Sequence, residues 1–408
     1  MRANPAANPG AAEKAMNILF LDQFDTVGGG QRSLLELLPM IGESGWNASV
    51  ALPGEGPYAR KVRAGGSEVE ILPCGAYTQG RKGGRDVARF ARELPETVRR
   101  LAAIVDHRRI GLIYVNGPRC LPAAALVARY KSIPLIFHAH HRITQRLAAR
   151  VAGDCLRHAG AEMIACCRFA EEPLARYVPE QRRRVIYNGV PQPAWSRRPR
   201  DPSRPWNIGV VGRVEPEKGQ LQFVAAARIL ASECGNCRFV VAGAPLFCGA
   251  EYLEKVRAAS KGLPIEFLGW QDDVGKVFSR LDLLVTPSAD VDSTPRVIVE
   301  AFAGGLPVVA YPAGGIPEIV DDGRTGFLAR GSSPAALAAR VQSVMRMGLG
   351  PLRNVTERAQ AAWREKYGLD QFQQEVRAVV AQALSRTSVK KRNAESIAIR
   401  PDATSTGG

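Results

Sequence analysis

The sequence predicts an α/β protein built as two doubly wound, parallel-sheet domains that face each other across a cleft. Three observations carry that expectation. Short Val/Ile/Leu-rich runs alternate with longer helical patterns through most of the chain, the pattern of buried strands joined by helical crossovers. The alternation breaks at PQPAWSRRPRDPSRPW, from Pro191 to Trp206, and restarts after it. At 408 residues the chain is longer than one hydrophobic core usually serves.

Taken in order, residues 1–16 are rich in Ala, Pro and Asn and lack the apolar core and cleavage pattern of a signal peptide. They read as a disordered tail on a protein that is not exported. MNILFLDQF is an apolar strand, and the turn Gly28-Gly29-Gly30 followed by QRSLLELLPMIGESGW completes a strand, glycine turn and helix. Strand candidates ASVALP, VEILPC, GLIYVN and PLIFHAH follow, and AEMIACC and RVIYNGV close a first domain over 17–190. The linker takes 191–206, without periodicity. A second domain over 207–363 reads NIGVVGRV, CRFVVAGAP, IEFLGW, LDLLVTPS, LPVVAY and TGFLA, with helices between them. A terminal helix is expected over 364–385, and the polar, basic 386–408 reads as a second disordered tail.

Composition narrows the function classes. A hydrophobic content of 46% describes a globular chain, and no run of about twenty apolar residues offers a membrane span. The eight cysteines form no disulfide framework; Cys234 and Cys237 make a lone C-x-x-C with no second pair, so they read as thiols in a reducing cytoplasm. The net charge of +16 points to an anionic ligand or surface. Between Arg81 and Arg109, nine Arg/Lys face four acids, with apolar positions at three- and four-residue steps. That is a basic amphipathic helix, or two meeting at Pro95. Its apolar stripe either packs on its own core or lies on anionic lipid.

Ligands in open α/β sheets bind at the carboxyl ends of strands, and candidate residues fall there. In VVGRVEPEKGQ, Gly212 and Arg213 end a strand and Lys218 enters the next helix. Glycine allows close backbone approach, while a guanidinium and an ammonium can hold a diphosphate near a helix start. FVVAGAP places Gly243 at a second such turn. In DSTPRVIVEAFAGG, Asp292 precedes Glu300, which sits among apolar residues where a carboxylate needs a partner. The vicinal hydroxyls of a ribose or sugar would supply one, as would Arg296 one turn earlier. In HAHH, His138 and His140 share one strand face and His141 points away, so no metal site is expected.

In this order and spacing, GRVEPEKG, the pair Asp292 and Glu300, EAFAGGLPVVA and GGIPEIVDDGRTGF resemble the retaining nucleotide-sugar glycosyltransferases of family 4. GGGQRSLLEL, IFHAH and VIYNGV agree with it, so the resemblance runs over roughly residues 17 to 385. It implies the GT-B fold, two Rossmann-like domains around an interdomain cleft. It also implies metal-independent transfer from a UDP- or GDP-linked sugar to a hydroxyl acceptor with retention. On matching positions, Arg213 and Lys218 would neutralise the donor diphosphate as the leaving group gains charge. Glu300 would accept from the ribose, and Asp292 from donor-sugar hydroxyls. Gly28, Gly29 and Gly30 would let the first-domain loop approach the diphosphate and acceptor, with Gly212 and Gly243 giving room on the donor side. His138 would lie near the transferring sugar. Gly314, Gly315 and Glu318 would border the cleft and mainly give it shape. The chain departs from the family where Asp292 stands for the usual glutamate, Ser293-Thr294-Pro295 for a glycine-containing turn, and Ala139 for a common acid after His138.

The basic helix, the QRRR cluster and the lack of a span fit a peripheral enzyme on the inner face of the cytoplasmic membrane. Its acceptor would be lipid-linked or a saccharide, in envelope or extracellular glycan synthesis. Two other readings stand beside it. An epimerase-like enzyme would use the same nucleotide cleft without an acceptor, and a basic nucleic-acid-binding protein would use the charge. At 7% aromatic, with no base-reading motif, the chain is not expected to bind nucleic acid.

Overall fold

Strands covered on both faces need apolar side chains at nearly every position, and these have them: Leu112 to Val115 are all fully buried. The computed structural model describes residues 15–73, 83–197, 200–246, 249–288 and 292–398, with side chains to Arg386. The first sheet contains β1 (Asn17–Leu21), β2 (Asn47–Leu52), β3 (Glu68–Ile71), β4 (Ile110–Val115), β5 (Leu135–Ala139), β6 (Glu162–Ala165) and β7 (Arg183–Val185), in the order β3-β2-β1-β4-β5-β6-β7. The second contains β8 (Trp206–Val211), β9 (Cys237–Ala242), β10 (Ile265–Gly269), β11 (Leu283–Thr286), β12 (Val308–Ala310) and β13 (Phe327–Leu328), in the order β10-β9-β8-β11-β12-β13. The strand pairings in both are parallel.

Helices α1 (Gly29–Glu43) and α2 (Pro57–Ala64) cover one face of the first sheet. Its other face carries α3 (Gly84–His107), α4 (Leu121–Lys131) and α5 (Arg146–Ala159), and the short α6 (Arg168–Glu171) follows β6. The second sheet is covered by α7 (Gln220–Cys234), α8 (Glu251–Ala259), α9 (Val274–Phe278), α10 (Arg296–Ala303), α11 (Ile316–Ile319), α12 (Pro334–Met345) and α13 (Leu349–Ala362). After a π-turn at Trp363–Tyr367, α14 (Leu369–Ala398) returns to the first domain. There Phe372, Val376 and Val380 pack in one cluster with Ile18, Leu34 and Tyr58. The return is pinned to the outgoing chain: Val190 N donates to Tyr367 O at 2.9 Å, and Trp363 Nε1 donates to Val190 O at 3.0 Å.

Several boundaries differ from expectation. Helix α14 runs on to Ala398 instead of ending at 385; residues 1–14 and 399–408 of the expected tails lie outside the described residues. Trp206 belongs to β8, and the linker's Trp195 packs beside Phe278 and Gly304 of the second domain. Helix α3 runs unbroken through Pro95, whose position is exposed. Its second half packs Leu94, Val98, Leu101 and Val105 on the core, whereas Val87 in the first half is exposed. No helix among the described residues is long and apolar enough to cross a membrane.

Candidate active site

Both sheets turn the carboxyl ends of their strands toward one cleft. From the first domain it receives Gly28, Gly29, Gly30 and Arg32 after β1, and His140 and His141 after β5. From the second it receives Gly212 and Arg213 after β8, Gly243 after β9, Trp270 after β10, and the segment from Asp292 to Glu300 after β11. Among the described residues, the charged side chains on its wall are the cations Arg32, Arg213, Lys218 and Arg296 and the carboxylates Asp292 and Glu300. Such a balance suits an anionic ligand.

The second-domain wall depends on backbone proximity. Gly212 and Gly243 have φ of 147° and 143°, and a Cβ on Gly243 would come within 1.8 Å of Gly212 O. No side chain fits there, so the two turns stack and leave their outer surface open. Arg213 is held by Glu215 at 2.6 Å, and Gln220 fixes the loop by donating to Arg213 O at 2.7 Å. Lys218 Nζ stands 2.6 Å from Asp292 Oδ2. Burial pushes the Asp292 carboxyl up, and the Lys218 ammonium outweighs it, leaving the group below its usual range.

Glu300 faces Arg296, the side-chain partner expected for it, at ion-pair and not hydrogen-bond distance. Its carboxylate lies 3.8 Å from Arg296 and 4.0 Å from Arg32 of the first domain. Arg296 turns its guanidinium across the cleft floor instead, donating to Glu36 Oε1 at 2.8 Å, Glu36 Oε2 at 2.9 Å and Gly189 O at 3.0 Å. Glu300 is thereby left with acceptor capacity toward the cleft. The Trp270 indole is 44% exposed and lines the same cavity, its Nε1 donating to Asp272 Oδ1 at 3.1 Å.

Comparison with known proteins decides the family. The description "Glycosyltransferase Family 4" matches residues 27–192, and "Glycosyl transferases group 1" matches residues 205–347. The chain is a family 4 glycosyltransferase. Over 183 residues it is 31% identical to the lipopolysaccharide 1,2-N-acetylglucosaminetransferase of Salmonella typhimurium, covering 41% of this chain and 48% of that protein. Over 161 residues it is 34% identical to the D-inositol 3-phosphate glycosyltransferase of Mycobacterium bovis, covering 38% of this chain and 32% of that one. The chain thus matches about half or less of the length of these curated relatives. In fold it is similar to Anabaena HepE in complex with UDP and glucose, with a TM-score of 0.75, 23% identity and coverage of 90% of this chain and 99% of that one. The sucrose-phosphate synthase of Thermosynechococcus elongatus gives a TM-score of 0.73, 18% identity and coverage of 91% and 100%. The fold of the glycosyltransferase is GT-B.

Two groups of expected site residues sit elsewhere in this glycosyltransferase. His138 is buried behind the cleft, with Nδ1 2.8 Å from the Tyr114 hydroxyl, and burial pulls its pKa down to about 3. His140 and His141 stand on the wall in its place. Strand β5 ends at Ala139, so the expected alternation does not extend to His140 and His141, and the residues just past a strand end are the ones that meet a cleft. Gly314, Gly315 and Glu318 are absent from the wall. Glu318 instead reaches the first domain, accepting from Arg168 N and Phe169 N at 2.8 Å each and from the Tyr187 hydroxyl at 3.1 Å. Gly315 lies against Ser293 O, where a Cβ would come within 1.9 Å. Arg32, Glu36, Glu215 and Trp270 went unassigned in the sequence reading; the position of Trp270 just past a strand end was the available signal. Among the described residues no group of three His, Cys, Asp or Glu is placed to hold a metal ion.

Proposed function

We propose that the chain transfers a sugar from a nucleoside-diphosphate sugar, UDP- or GDP-linked, to a hydroxyl acceptor with retention at the anomeric carbon. The observation that carries this reading is the convergence of Arg213 and Lys218 from one sheet with the glycine turn and His140 from the other. Arg213 and Lys218 stabilise the diphosphate as its charge grows. Glu300 accepts from the ribose diol, and Trp270 offers a face for the base to stack on. Asp292 is held in an ion pair with Lys218, which suits a countercharge and hydroxyl acceptor better than a free nucleophile. The departing phosphate then takes the acceptor's proton on the same face, and positioning carries the rate.

UDP heads the nucleotides to test, because the fold neighbour HepE is described with UDP and glucose. The acceptor is proposed to be a lipid-linked or saccharide hydroxyl of an envelope glycan, in line with the likeness to a lipopolysaccharide transferase. Peripheral binding to the inner face of the cytoplasmic membrane belongs to the same reading.

The test is a thermal-shift panel of UDP, GDP, ADP and dTDP and their sugar conjugates on wild type and Glu300→Ala. One nucleotide is expected to stabilise wild type and to lose its effect in the variant. Absence of any shift at millimolar nucleotide would overturn the donor site. With the donor found, Arg213→Ala is expected to lower kcat by roughly a hundredfold or more; near-normal turnover would remove Arg213 from the chemistry. Conversion of the donor sugar without any acceptor would favour the epimerase-like reading.

A further inference from the structure

A chain of hydrogen bonds runs from the glycine turn to His140, and its polarity is set at one end by a backbone N–H, which can only donate. Gly28 N donates to Gln31 Oε1 at 3.1 Å, which turns the amide nitrogen of Gln31 toward Asp22. Gln31 Nε2 donates to both Asp22 oxygens at 3.0 Å, and Phe24 N donates to Asp22 Oδ1 at 3.0 Å. Donors gathered in this way hold Asp22 as an acceptor. Asn116 must then present Nδ2 to Asp22 Oδ2, at 2.6 Å, which leaves its carbonyl Oδ1 facing His140 Nε2 at 2.7 Å. A carbonyl accepts and cannot donate, so the His140 proton resides on Nε2 and Nδ1 keeps its lone pair.

That Nδ1 is buried without a hydrogen-bond partner among the described residues, although His140 lines the cleft. A buried, unpaired acceptor at a cleft wall calls for an explanation. The ring is also held in place: His138 stacks on it with centroids 3.9 Å apart, and a Cβ on Gly30 would come within 3.2 Å of it.

We propose that Asp22, Gln31 and Asn116 are positioning residues that fix His140 as an acceptor, its Nδ1 taking a hydrogen bond from a hydroxyl of the bound sugar. This rests on the transferase reading of the cleft. Burial, reinforced by His138, His141 and Arg296, keeps the imidazole neutral. A neutral acceptor orients a hydroxyl without adding a cation beside a reacting carbon that itself gains positive charge.

The test uses the full chain labelled with ¹⁵N-histidine. In wild type the His140 signal, identified by its loss in His140→Gln, is expected to show the Nε2–H tautomer. In Asp22→Asn the Asn116 amide is free to reverse, so the proton is expected to move to Nδ1. In the same variant kcat for UDP release from UDP-glucose, or from the fastest donor of the panel above, is expected to fall about tenfold or more. KM and stabilisation by UDP are expected to stay near wild type, because the diphosphate is held by the other domain. An Nδ1–H tautomer in wild type overturns the proposal even if Asp22→Asn does not fold. Unchanged kcat in a folded Asp22→Asn that has switched tautomer overturns it as well. Failure of the transferase reading looks different: wild type would show neither nucleotide stabilisation nor donor turnover, whatever the tautomer.

Discussion

Asp22 illustrates how one buried side chain couples local bonding to pH. Burial pushes its carboxyl up from the usual 3.8 to about 6, against hydrogen bonds from Asn116, Gln31 and the backbone that favour the ion. A pKa raised on folding means that the native state holds the proton more tightly than the unfolded chain. Its contribution to stability is therefore full below 3.8 and is lost as pH rises through about 6. Urea unfolding from pH 4 to pH 6 is expected to show wild type losing stability relative to Asp22→Asn, in which this component is absent. Parallel pH profiles would mean that the native and unfolded states bind the proton equally. At the same scale, Gly243 acts by lacking a side chain, since the approach of Gly212 O leaves no room for a Cβ, and Gly212 serves through its φ of 147°, which side chains disfavour.

At the scale of elements, two contacts tie helices of one domain to the other. Glu318, in α11, occupies the N–H groups at the start of α6, where a carboxylate is favoured. Arg296, at the start of α10, forks onto Glu36 of α1. Burial pushes the Glu36 carboxyl above its ordinary range even with Arg296 beside it, so the pair fixes geometry more than it adds net stability. Removal of one partner differs from removal of both. Glu36→Ala is expected to lower unfolding free energy by about 3 kcal/mol, because buried Arg296 loses its carboxylate fork and keeps only Gly189 O, the Ser33 hydroxyl and the more distant Glu300, whereas Glu36→Leu with Arg296→Met is expected to recover most of it. Equal losses in the single and double variants would refute this account.

At the scale of the whole molecule, charge and exposed apolar area coincide on the layer α3, α4 and α5. Tyr130 is 80% and Leu147 67% exposed, and Val87, Leu126 and Val151 share this layer. Arg85, Arg92, Arg129 and Arg146 lie on it too, without acidic partners among the described residues. A surface of this kind suits anionic lipid. Co-sedimentation with vesicles is expected to rise with anionic lipid content, to weaken with salt, and to fall in Leu147→Asp with Tyr130→Asp. Binding indifferent to anionic lipid would count against membrane docking. The sequence located the basic surface on the segment from Arg81 to Arg109, but the larger exposed apolar side chains stand on the two neighbouring helices. A periodic stripe in one segment cannot reveal that the first half of its helix leaves the core while others carry the patch.

The sequence by itself determined the alternation of strands and helices, the break between two domains, and the cleft residues Gly212, Arg213, Lys218, Gly243, Asp292 and Glu300. These are legible because apolar periodicity and strand-end glycines are local signals that survive without coordinates. Tertiary structure decided which histidines of HAHH line the cleft, since β5 ends at Ala139, leaving His138 buried within the strand and His140 and His141 just past its end. It also decided that Arg296 hydrogen-bonds Glu36 while standing 3.8 Å from Glu300, and that Glu318 reaches α6 across the domain boundary. Such pairings join positions over a hundred residues apart. Nothing local marks them, because a side chain's partner is set by the packing of two domains and not by its neighbours in the chain.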